Sequence, residues 1–112
     1  MRVGLAMALA LVTPQDPAPL TSYAEMVRCV GLTQAASELA GGDGAEGKAL
    51  MDAALYWSLT AMQAASAAGR TPAAAEADQT RARIQSVRLL SATDAEARAA
   101  LQRCRQRTPR LG

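Results

Sequence analysis

Three sets of residues in this 112-residue chain could do chemistry: two cysteines, a few unassigned carboxylates and a crowd of arginines. Cys29 and Cys104 are the only cysteines. Their separation fits neither the C-x-x-C spacing of a redox pair nor the ligand number of a metal site, since two thiolates without histidine leave a metal under-coordinated. Histidine is absent from the whole chain, which removes the commonest general base, metal ligand and haem axial ligand. Cys104-Arg105-Gln106-Arg107 lacks the second cysteine and the histidine of a covalent haem motif. The methionines Met26, Met51 and Met62 are too dispersed for a copper cluster, so no cofactor and no metal are expected.

Acid–base catalysis needs paired carboxylates. Glu25, Asp43, Glu46 and Glu96 fall where helices start, and capping and the helix dipole account for them. Glu38, Asp52, Glu76 and Asp78 remain, with no partner motif, and no serine sits in a nucleophile elbow. No catalytic residue is therefore expected, and the chain reads as a non-enzyme.

Arginine outnumbers lysine eleven to one, yet the net charge is only +2. Positive charge gathers at the C-terminus in Arg98, Arg103, Arg105, Arg107 and Arg110, a candidate basic patch for an acidic partner or a phosphate-bearing surface. The competing reading is a solvated helix end whose cations complement the dipole. With 27 alanines and abundant glycine, the arginine excess matches GC-rich codon usage, and no reader motif supports a nucleic-acid partner.

The elements that must position these residues are helices. Alanine is the strongest helix former, β-branched residues are sparse, and phenylalanine is absent. Ser22 and Glu25 form a capping box that starts a helix over about 22–40. Gly41-Gly42-Asp43-Gly44 stops it, with Asp43 expected to cap the next together with Glu46, over 44–68. Gly69 ends that helix, and Thr71-Pro72 supplies a cap and a proline at the first helical position for 72–90. Thr93 and Glu96 read as a further capping box for 94–107, before Thr108-Pro109.

Periodicity assigns the faces. The first helix turns Met26, Cys29, Val30, Leu32, Thr33 and Ala36 inward. The third carries the stripe Ala73, Ala77, Thr80, Ile84, Val87 and Ser91, and the fourth Ala97, Ala100, Leu101 and Cys104. Both cysteines face a core, one early in the first helix and one late in the last. The expected fold is an all-α, four-helix up-down bundle stapled by a Cys29–Cys104 disulfide. Such a staple suits a small alanine-rich core, which buries little apolar area per residue.

The second helix has two apolar faces. Leu50, Ala54, Trp57, Ala61 and Ala68 form one; Met51, Leu55, Leu59 and Met62 form another, with Tyr56 on the remaining side. A helix of this kind is central or is covered by something else, so Met51, Leu55, Tyr56, Leu59 and Met62 are the candidate protein-binding surface.

Upstream, Arg2 and the apolar run Val3–Val12 resemble a secretory signal, too short to span a bilayer, with residues 1–18 read as signal and spacer and 19–112 as one domain. The expectation is a periplasmic or secreted bacterial protein without a stable membrane anchor after processing. It would bind an unknown protein or itself, with a periplasmic chaperone or enzyme inhibitor as the alternative and a small enzyme ranked last. In general plan alone it resembles the periplasmic acid-stress chaperones of enteric bacteria, with no motif shared residue by residue.

Overall fold

A computed structural model describes residues 21–109; the signal-like segment and Arg110 lie outside the described residues. Four helices follow one another: α1 Tyr23–Leu39, α2 Ala45–Ala67, α3 Pro72–Ser91 and α4 Ala95–Gln106. They form an up-down bundle, all-α among the described residues, with α1 and α4 joined by the Cys29–Cys104 disulfide across a Cα–Cα distance of 5.5 Å.

Local chemistry sets the helix ends. Ser22 Oγ accepts from the Glu25 backbone N–H at 3.1 Å while Glu25 accepts from the Ser22 N–H, which completes the capping box of α1. Thr71 Oγ1 accepts from Ala74 N–H, and Pro72 opens α3 where no backbone donor is needed. Two expected caps are corrected. Gly44, not Asp43, is the N-cap of α2, and it makes no side-chain bond. Asp94, not Thr93, caps α4 by accepting from Ala97 N–H at 2.8 Å.

The reason for the second correction lies in the helix before it. Thr93 has φ 55°, and α3 closes by bonds from Thr93 N–H to Leu90 O and from Asp94 N–H to Leu89 O. That is the left-handed closing turn usually given to glycine, as Gly69 provides after α2. An N-cap needs extended backbone, so Thr93 cannot end α3 this way and start α4 as well.

The central helix is α1, not α2. Residues 29–33 and 35–37 are buried around its whole circumference, and it packs against all three other helices. Its inner turn satisfies its own polar group, since the Thr33 hydroxyl donates to Cys29 O at 2.6 Å. At Gly31 α3 comes very close: a Cβ there would sit 2.5 Å from the backbone of Ala82. From α2, Leu50, Ala54, Trp57 and Ala61 fill the core, whereas Ala68 is exposed. Trp57 is the one large aromatic inside, and its Nε1–H donates to Thr108 Oγ1 at 2.9 Å, tying α2 to the end of α4.

The stripe expected to face inward on α3 is reversed. Ala73, Ala77, Thr80, Ile84 and Ser91 are exposed and Val87 is half-buried; the buried positions are Ala75 and Ser86, while Ala82 meets α1 at Gly31 and Leu89 and Leu90 pack on the core. Close approach explains the choice. At Gly31 the two backbones come so close that a short side chain, Ala82, lies at the contact, while the bulkier Ile84 is turned out.

Candidate functional site

The outer face of α2 is built from residues three and four apart on a helix whose opposite face is fixed in the core by Leu50, Trp57 and Ala61. Once that face is inside, Met51, Leu55 and Leu59 must point away from α1. They are 48%, 55% and 57% exposed, in three successive turns. Tyr56 and Met62 are half-buried, and Tyr56 packs edge-on against Trp57 with ring centroids 5.1 Å apart. Met51, Leu55 and Leu59, flanked by Met62, thus form one ridge, and Tyr56 belongs to the packing beside Trp57. On α3, Ile84 is also exposed.

The basic residues of α4 do not form one patch. The inward stripe Ala97, Ala100 and Cys104 divides them between two flanks. On one flank Arg103 pairs with Glu96, and Glu96 also pairs with Arg28 of α1. Arg107 donates to Thr21 Oγ1 at 2.7 Å. A small cavity between these side chains reaches Cys29 and Cys104. On the other flank stand Arg98, Leu101 and Arg105. Arg105 reaches Glu46 at the start of α2 through two bonds, of 2.6 and 3.2 Å, while Arg98 forms no ion pair among the described residues. Both flanks perturb their acids: Arg105 beside Glu46, and Arg28 with Arg103 beside Glu96, hold those carboxyls below the ordinary range.

The four carboxylates left without a role in the sequence do not converge. Glu38 accepts from Arg83 at 3.1 Å near the end of α1. Asp78 lies at the other end, accepting from Tyr23, Arg70 and Arg81 at 2.6–2.9 Å. Tyr23 and Glu38 are fifteen positions apart, roughly 20 Å along a helix axis. The Arg70 and Tyr23 hydrogen bonds lower the Asp78 pKa to about 2, and burial together with Asp78 raises that of Tyr23. Asp52 and Glu76 are exposed. Asp78 is thus the knot of a clasp joining α1 to the α2–α3 turn and α3. No group of three or more metal-ligating side chains occurs among the described residues.

Sequence patterns missed two features. The Tyr23–Asp78–Arg70 clasp links positions far apart and carries no local signal. The second flank of α4 did have one, in the i, i+3, i+7 spacing of Arg98, Leu101 and Arg105 on one side of the helix.

These features define a small helical bundle closed by a covalent staple. No protein-family model matches the chain, and neither a curated protein nor a solved structure matches it. The disulfide points to an oxidising, non-cytoplasmic compartment, because cytoplasmic thiols are kept reduced. No helix among the described residues is long and apolar enough to cross a membrane.

Proposed function

We propose that this chain is a non-catalytic helical module, periplasmic or secreted, that binds another protein or a second copy of itself through the outer face of α2. The observation that carries this reading is the run of Met51, Leu55 and Leu59, each about half exposed, over three turns of a well-anchored helix. Single exposed apolar residues are ordinary, whereas a continuous ridge of flexible and branched side chains has the form of a helix-docking surface. The signal-like Arg2–Val12 segment and the disulfide together support export. The scatter of Glu38, Asp52, Glu76 and Asp78 supports a binding role over a catalytic one.

The test is a photo-crosslinking amino acid at position 55 in the native host, combined with sedimentation of the purified oxidised chain. A specific adduct, or a concentration-dependent dimer abolished by Leu55→Asp, is the expected outcome. A monomer at every concentration with no adduct at position 55 would sink the reading.

A further inference from the structure

The far flank of α4 opens onto a shallow, open groove of about 460 Å³, where the ends of α1 and α3 meet the starts of α2 and α4. That is within the range of roughly 300–1,000 Å³ common to small-molecule sites. Its walls are Leu39, Leu50, Leu90 and Leu101. Leu50 is buried, Leu90 and Leu101 are half-buried, and Leu39 is 53% exposed, so the chain leaves part of this apolar lining uncovered.

Charge selects the occupant. Arg105 and Glu46 neutralise one another on one rim through their paired bonds. Arg98 stands on the other with no carboxylate of the described chain against it. The groove therefore presents leucine walls and one guanidinium that forms no ion pair within the described chain. A dianion would meet Glu46 without a second free cation to offset it, whereas a single carboxylate matches one guanidinium fork in both charge and shape.

We infer that this groove is a binding site for a single-chain aliphatic carboxylate, of the medium-chain fatty acid class, with its tail along Leu39, Leu90 and Leu101 and its carboxylate on Arg98. The site lies apart from the α2 ridge and does not depend on the docking role proposed for it.

The experiment titrates the ¹⁵N-labelled, oxidised protein with decanoate, decyl maltoside and decyltrimethylammonium, each below its micelle concentration, and follows amide shifts and affinity. Saturable one-to-one binding of decanoate is expected, with shifts at Leu90, Thr93, Arg98 and Leu101. Its affinity should exceed that of the neutral amphiphile by about fivefold, the scale of one exposed ion pair, and the cation should bind weakest. Arg98→Gln should erase the preference without weakening decyl maltoside. Leu39→Ser should weaken all three, and Leu55→Asp none. Equal affinity for the three amphiphiles, an unchanged preference in Arg98→Gln, or shifts confined to Met51, Leu55 and Leu59 would each overturn the assignment.

Discussion

The two flanks of α4 use the same residue type for opposite ends. Toward the start of α1, arginines are answered: Arg28 and Arg103 share Glu96, Arg107 holds Thr21, and the side chains frame a small cavity over the disulfide. Toward the end of α1, Arg105 is answered by Glu46, but Arg98 is not, and leucines are left open beside it. The difference does not come from the arginines. It comes from which acids the neighbouring helices bring within reach, so a basic run in the sequence becomes a clasp on one side and a rim on the other.

Breaking the covalent bond beneath the closed flank should have the largest effect. Closing a 75-residue separation is worth roughly 4 kcal/mol in the chain-entropy account. Cys104→Ala, or reduction, should lower the unfolding free energy by about that much in a urea titration. Equal midpoints for the oxidised and reduced chains would refute it.

Next comes Gly31→Ala, on the face of α1 turned toward α3. A methyl placed 2.5 Å from the Ala82 backbone forces the helices apart, at a cost of roughly 1–3 kcal/mol. The disulfide should still form, and thiol titration of the variant checks this. If stability is unchanged, the close approach is not a constraint.

Acid should act more gradually, through carboxylates that bind protons less readily in the folded chain than in the unfolded one. Asp78, held at about 2, contributes stability that is complete above about pH 4 and is lost as the pH falls toward 2. Glu96 on the closed flank and Glu46 on the open one are depressed too and share that sign. Melting temperature followed from pH 5 to pH 2 should fall, and Asp78→Asn should flatten the curve most. A rise on acidification would contradict the sign.

The smallest effect belongs to the flank pairs taken singly. Glu96→Gln and Glu46→Gln remove exposed partners, and exposed ion pairs contribute little. Neither should measurably move the melting temperature at neutral pH. A large drop for Glu96→Gln alone would show that the closed flank is a cooperative network and would sharpen the contrast.

Helix count and cysteine pairing were legible because both rest on local signals. Caps, Pro72 and Gly69 mark ends, and periodicity turns Cys29 and Cys104 the same way as the core. The reversed face of α3 was not legible. Its apolar stripe through Ile84 is the better match to a helical period, but the close approach at Gly31 puts the short side chain of Ala82 at the contact, a condition set by another helix. Thr93 misled for a similar reason: its spacing to Glu96 suits a cap, while its backbone is committed to closing α3. The apolar α2 ridge was readable as a second face, but its exposure was decided by α1 taking the central place. The divided arginines needed the helix to be laid against its neighbours before the acids near each one were known.

The Cys29–Cys104 bond also makes most of the described chain a ring. It encloses α2 and α3 whole, together with the exposed turns around Gly41–Gly44 and Arg70. A protease that cuts once in either turn releases nothing: the nicked protein migrates as one species on a non-reducing gel and as two only after reduction. In a compartment where proteases meet folded proteins, that topology preserves a cut molecule as a single particle, with its helices still held beside one another.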